Sequence, residues 1–293
     1  MNSRRRVWLL LAVGGSVVLA RPCASAEDIV AQKLALELTA EGNHAAAALE
    51  FRRAATATGD AVEQGALYWL AAFEYWRAGQ GGVAEKLLDR AEDVLPEPHR
   101  PALRLLQAEV AAKVSSSVAA FYYKGLTDSG AAPELRRYAS RQLAVQRLRS
   151  REMAAARKAL ETSSGDETAG LEALSNYAKG KDKRPMLGGV LGIIPGFGYF
   201  YSGEYANGFR SLLLNSLFIF GMVHTASEDQ WGAFAAITFF EFTWYSGSIY
   251  GGLDAAHRFN RRRLERAERG ILGAARFEPD WKQIPVLSLR FIF

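Results

Sequence analysis

Apolar positions along this chain follow three successive patterns. From Glu27 to Gly180 they recur three and four residues apart, from Met186 to Ala256 they crowd together, and from Leu287 to Phe293 they alternate with other residues. These spacings predict amphipathic helices, then long apolar helices, then a short strand. The first region also repeats itself. Leu34, Leu38, Gly42, Ala47, Phe51 and Ala54 return in kind 37 residues later as Ala71, Tyr75, Gly79, Ala84, Leu88 and Ala91, and Pro96 closes the second unit. Each unit reads as helix, glycine turn, helix. The small residues let two helices approach, and Phe51 and Leu88 fill the gap to the next pair. The register fades between Pro101 and Tyr177, although an alanine-rich helical pattern over 144–160 continues the stack.

Large residues on a first helix, glycine at the turn, then small-large-small on a second helix resembles the tetratricopeptide repeat. The resemblance implies a curved array whose product is a surface for a partner protein rather than a catalytic pocket. Tyr68, Trp69, Tyr75, Trp76, Tyr122 and Tyr123, with Phe121, are the aromatic candidates for that surface, and core packing is the competing reading. Arg136, Arg137, Arg141, Arg147, Arg149, Arg151, Arg157 and Lys158 form a basic stretch. It reads as a solvated helix face, or as a holder of acidic peptide or lipid headgroups. His44 and His99 have no companions at ligand spacing and read as surface residues.

The crowded region holds three apolar segments: 186–202, broken by Pro195-Gly196-Phe197-Gly198; 209–225; and 231–256. The second and third are long enough for a membrane hairpin, whereas the first either crosses or re-enters. The acidic stretch at Glu228-Asp229 belongs outside and the cluster Arg258, Arg261, Arg262, Arg263 and Arg266 inside. With the repeats exported, that requires an odd number of crossings, which favours a spanning first segment and leaves Lys181, Lys183 and Arg184 on the unfavoured side.

Pro195, Gly196, Gly198, Tyr201, Gly203 and Gly208 match a Pro-Gly-x-Gly-x-x-Tyr-x-Gly-x-x-x-x-Gly pattern. Together with the closing run Tyr250–Asn260, it resembles small bacterial membrane domains related to the two-transmembrane-helix family. The resemblance covers 186–262 and implies a fold and an address more than an activity; a Gln or His common within the motif is Tyr199 here. On physical grounds, Gly188, Gly192 and Gly196, and again Gly247 and Gly251, are spaced to let helix backbones approach in lipid. Tyr199, Phe200, Tyr205, Trp231, Trp244 and Tyr245 suit the interface. Glu241 lies in mid-segment, where an unpaired charge costs about 2.5–3.5 kcal/mol or more. Asn215 is its expected hydrogen-bond partner. Glu241 reads as a neutral acid that joins the hairpin or a homo-oligomer, with a proton- or ion-conducting site as the alternative.

Composition then narrows the setting. Arg4-Arg5-Arg6, the apolar run 7–20 and Ala24-Ser25-Ala26 read as a secretory leader cleaved after Ala26, with an uncleaved signal anchor as the alternative. It contains Cys23, the chain's single cysteine, so the mature chain has no thiol chemistry or disulfide. A formal charge of +5 would suit nucleic acid in the cytosol, but export argues against that partner. Neither a nucleophile elbow nor a metal-spaced histidine cluster occurs, and no cofactor or metal is expected. The expected fold is all-α, a helical-repeat (tetratricopeptide-like) solenoid followed by a two- to three-helix membrane domain. The divisions are a leader at 1–26, repeats at 27–180, a membrane domain at 181–263 and a basic tail at 264–293. That tail begins as helix along the inner surface and ends in a strand-like segment, which pairs with a partner or lies at the interface. The expected function is a non-enzymatic scaffold of the bacterial inner membrane, with periplasmic repeats binding a partner protein. A transport or envelope-assembly component using Glu241 is the alternative, and outer-membrane association is disfavoured.

Overall fold

The computed structural model describes residues 7–9, 26–279 and 289–292, with side chains over 30–278. Most of the leader, Cys23, Leu287 and Phe293 lie outside the described residues. Thirteen α-helices and three short strands occur among those described, so the chain is all-α with a small strand appendage. It divides into two units, Met1–Glu172 with Gly270–Phe293, and Ala173–Arg269.

In the first unit α1 (Ala26–Ala40), α2 (His44–Ala57), α3 (Ala61–Arg77), α4 (Gly81–Val94), α5 (Arg100–Ala111), α6 (Ser116–Asp128), α7 (Pro133–Arg149) and α8 (Met153–Glu161) pack each on the next. The turn chemistry explains the pairing. Gly42 and Gly79 take φ of 80° and 77°, a left-handed conformation that glycine adopts without a Cβ penalty. The amide after each reaches back to a carbonyl five residues earlier, Asn43 to Leu38 at 2.9 Å and Gln80 to Tyr75 at 2.8 Å, which closes the preceding helix. Arg151, at φ 62°, makes the same turn, with Glu152 N donating to Arg147 O at 2.9 Å. The third pair turns at Val114 without a left-handed residue, and the Ser115 side chain caps α6. The turns at 42, 79, 114 and 151 are therefore 37, 35 and 37 residues apart.

Packing follows the same spacing. Ala47, Ala84, Ala119 and Ala156 have no exposed surface, and Phe51, Leu88, Tyr123 and Leu160 are equally enclosed. Each such large side chain contributes about 1.5–3 kcal/mol of burial. Trp69 ties the second pair to the third, its indole Nε1 donating to Ala102 O at 3.0 Å.

The strands are β1 (Val7–Leu9), β2 (Arg276–Pro279) and β3 (Leu289–Ile292), antiparallel in the order β1-β3-β2 with Phe277 opposite Phe291. The strand expected near the end of the chain is thus present. Its neighbours are segments of this same chain, and β1 falls within the sequence assigned to the leader.

The second unit contains α10 (Pro185–Leu191), α11 (Phe197–Tyr201), α12 (Tyr205–Ser227) and most of α13 (Trp231–Leu272), while α9 (Thr168–Lys179) straddles the boundary. Pro195 and the left-handed Gly196 (φ 88°) divide the first apolar segment into helices of 7 and 5 residues. At 1.5 Å per residue neither approaches the ~30 Å of a hydrocarbon core. Among the described residues one helix, Tyr205–Ser227, is long and apolar enough to cross a membrane. It runs antiparallel to α13, with Ser211 Oγ 3.2 Å from Ser248 Oγ and Gly221 facing Ile237.

Residues 270–293 fall in the same unit as 1–172. Within the second unit Arg263 pairs with Asp182, and Asn260 bonds Lys183 through both its side-chain atoms, so the two basic ends sit together.

Candidate functional site

The aromatic residues proposed for partner contact divide by burial. Trp69 and Tyr123 are fully enclosed, and Tyr68 and Tyr75 are 8 % exposed, so these four pack the interior of the first unit. Their size and helical spacing serve the inter-helix gaps, which corrects the surface assignment. Trp76 and Tyr122 are half-buried, and Phe121 is exposed.

Trp76 marks the more developed site. After α13 the chain turns at Gly273 into β2 and seats Phe277 on the face of α3 and α7. The Phe277 ring stacks on Trp76 at 6.1 Å and meets Phe73 and Tyr138 edge-on, both at 5.8 Å. Beside it lies a cavity of about 520 Å³, walled by Leu36, Thr39, Ala40, Trp76, Arg77 and Glu278 among others. The Trp76 Nε1 is buried without a hydrogen-bond acceptor. Tyr122 lines a second cavity of about 250 Å³ between α4 and the α5–α6 pair, with Glu85, Asp89, Val114 and Val118.

Several charged groups of the first unit have defined partners within it. Glu109 is enclosed and accepts from the hydroxyls of Tyr123 at 2.7 Å and Tyr138 at 2.8 Å, both on Oε1. Burial pushes its carboxyl above the usual range and the two phenols well above theirs. Between the usual and the raised value the folded state holds the extra proton, so stability falls as pH rises through that window. Glu109→Gln keeps the acceptor without the charge. It should melt no lower than the parent at neutral pH and flatten the pH dependence. Glu109→Leu strands two buried hydroxyls and should cost about 2–4 kcal/mol, read in thermal melts from mildly acidic to mildly alkaline pH.

The basic stretch of α7 is neither a free solvated face nor a headgroup holder at its centre. Arg137 Nε and Arg141 Nε clasp Glu167 at 3.0 and 2.7 Å, and Arg141 also donates to Leu272 O at 3.3 Å. His44 is likewise more than a surface residue. Its Nδ1 lies 2.7 Å from Glu74 Oε2, and burial raises the Glu74 carboxyl. His99 is half-buried, which lowers its pKa.

The glycine motif builds the second unit by backbone contact. A Cβ on Gly196 would strike the Gly208 carbonyl, and one on Gly198 would strike the Gly188 carbonyl and lie 2.6 Å from Gly252 Cα. Gly192 approaches Ser248 O and Ile249 Cα equally closely, whereas Gly247 faces open space. Gly203, at φ 77°, forms the turn into α12, with Glu204 N bonded to Tyr199 O at 2.9 Å. Tyr201 ties α11 to the start of α10. Its hydroxyl accepts from Arg184 N at 2.9 Å, and Lys183 Nζ stands 4.6 Å over its ring. Tyr199 packs its hydroxyl against Gly251.

Sequence patterns do not single out Glu204. It accepts two parallel bonds from Arg258, at 2.9 and 2.7 Å, and one from Asn207 at 2.8 Å. Those bonds hold its carboxyl below the usual range. The Arg258 partner is 54 residues away, beyond any local periodicity.

Asn215 and Glu241 are both buried on the hairpin, at 0 % and 7 % exposure. They do not bond each other, contrary to expectation. Asn215 Nδ2 donates to Ser211 O at 2.6 Å, while Asn215 Oδ1 and Glu241 Oε2 have no partner. No group of three or more His, Cys, Asp or Glu able to hold a metal occurs among the described residues. No family model, curated protein or solved structure matches this chain.

Proposed function

We propose that this chain is a non-enzymatic, membrane-anchored interaction scaffold of a bacterial cell envelope. The first unit acts as a tetratricopeptide-like solenoid that binds an extended segment of a partner protein. The observation that carries this reading is the seating of β2: the helical face of Phe73, Trp76 and Tyr138 already holds an extended segment through one aromatic anchor. Helical repeat surfaces bind peptides through such grooves.

The second unit acts as the anchor. Its interior is polar, with Ser211, Asn215, Glu241 and Ser248 buried, while Leu213, Leu217, Phe220, Phe239 and Phe242 are exposed. Such an inside-out distribution suits lipid better than water. In this reading α12 and the first part of α13 insert as a hairpin, with the Glu228–Gln230 turn at the far side. The exported leader then places the repeats and both basic ends in the periplasm.

Two measurements test the proposal. A photo-crosslinking residue at Thr39 should capture one partner from native membranes and lose it on Trp76→Ala, while the same residue at exposed Arg53 should capture nothing in common; equal capture at both positions would overturn the groove. Alkaline phosphatase fused after Phe293 should be active, and an inactive fusion alongside a periplasmic Asp229 label would invert the topology.

A further inference from the structure

The second unit contains a cavity of about 300 Å³ that the scaffold reading does not use, between the start of α12 and the middle of α13. Its walls include Tyr199, Asn207, Arg210, Ser211, Thr243 and Trp244. Arg210 is exposed at its rim and makes no ion pair or side-chain hydrogen bond among the described residues. Three other arginines of the unit are committed, Arg258 and Arg262 to Glu204 and Arg263 to Asp182. Arg210 is thus a free cation beside the Tyr199 hydroxyl and the Trp244 indole, with Thr243 Oγ1 donating to Phe239 O at 3.2 Å and Asn207 Nδ2 to Glu204 at 2.8 Å. That donor set suits a phosphate ester, because a guanidinium binds two phosphate oxygens at once.

Depth selects the source of that phosphate. Arg210 stands 17 residues before the end of α12 at Ser227, roughly 26 Å along the helix axis. On a hairpin spanning a ~30 Å hydrocarbon core, this is the headgroup boundary on the side of the basic ends. Below Arg210 on the same helix, Leu213 and Leu217 are exposed at one-turn spacing, and Phe240 is exposed on α13 one turn from Trp244. They offer an apolar track for an acyl chain beneath a polar socket. An arginine beside a polar socket at the headgroup boundary, with apolar surface below it, has the layout to hold a phospholipid headgroup.

We infer that this cavity binds the phosphate of a membrane glycerophospholipid, with Arg210 as the phosphate ligand and Thr243 and Trp244 flanking it. The inference rests on the anchor reading of the second unit. The test uses the purified full chain in a non-ionic detergent, titrated with a short-chain phosphatidylglycerol and, separately, with glycerol 3-phosphate. The lipid should bind to the parent and to Arg262→Gln alike. Binding should weaken about tenfold in Arg210→Gln, the loss of one charge-assisted contact, and less in Arg210→Lys. Thr243→Leu, which fills the socket and leaves Arg210 in place, should also weaken it.

Lipid affinity unchanged in both Arg210→Gln and Thr243→Leu would overturn the inference. Equal affinity for glycerol 3-phosphate and for the lipid would replace the lipid by a soluble phosphate ester. An alkaline carbonate wash of native membranes separates this failure from that of the anchor itself. Retention of the parent and of Arg210→Gln upholds the anchor whatever the titration shows, and release of both removes the basis of the lipid site.

Discussion

Gly198→Val should abolish the folded second unit, while Gly247→Val, on α13 of the same unit, should leave it standing. The two glycines differ in what surrounds them. A Cβ at 198 would collide with the Gly188 carbonyl and lie 2.6 Å from Gly252 Cα, whereas one at 247 meets nothing within 4 Å. Both obstacles at 198 are backbone, so no side-chain rotation relieves them; α10, α11 and α13 would have to separate. Overpacking of this kind costs about 3 kcal/mol or more, a large share of a small unit's stability. In detergent the Gly198→Val chain should lose the cooperative melt of this unit and become protease-sensitive between α11 and α12. Gly247→Val should differ from the parent by less than about 1 kcal/mol. Similar melts for the two variants would mean that the close backbone approach does not hold the unit together.

Much of this architecture is legible in the sequence because its causes are local. Gly42 and Gly79 stand out since only glycine takes φ near 80° cheaply, and the alternation of Ala47 with Phe51 and of Ala84 with Leu88 sets two helices at close range. The third and fourth pairs are hidden for equally local reasons. Val114 turns without a left-handed residue, Arg151 supplies one without being glycine, and Tyr123 occupies the position held elsewhere by Phe or Leu. Helical spacing shows that an aromatic lies on a helix face but not whether another helix covers it. Trp69 and Tyr123 thus read as surface candidates, while Phe277, sixteen positions before the end, carries no helical signal at all. In the second unit the glycine motif is readable as close packing, and which glycine meets which backbone is not. The Glu204–Arg258 fork and the separation of Asn215 from Glu241 depend on how α12 docks on α13, which no single helix encodes.

Phe277→Ala should both weaken the first unit and open its groove. Phe277 is 6 % exposed and contacts Phe73, Trp76 and Tyr138, so its truncation removes a buried aromatic and leaves a cavity that rigid helices fill only in part. Substitutions of this type cost about 3–5 kcal/mol, and a strap at the edge of a unit, freer to collapse, belongs at the low end. The tryptophan-fluorescence melt should fall accordingly, since Trp76 loses a stacking partner. If β2 occupies the place of a partner segment, its release raises the fraction of competent groove, and capture of the partner at Thr39 should increase despite the lower stability. A plain core role predicts the opposite sign, with capture falling in step with the melt. Phe277→Tyr is the control: the phenol ring preserves the stacking area, so capture should stay near the parent value on either reading. A Phe277→Ala chain that melts lower and captures less would make β2 part of the wall and require the partner to bind elsewhere on the unit, where the Tyr122 cavity between α4 and α6 is the next surface to examine.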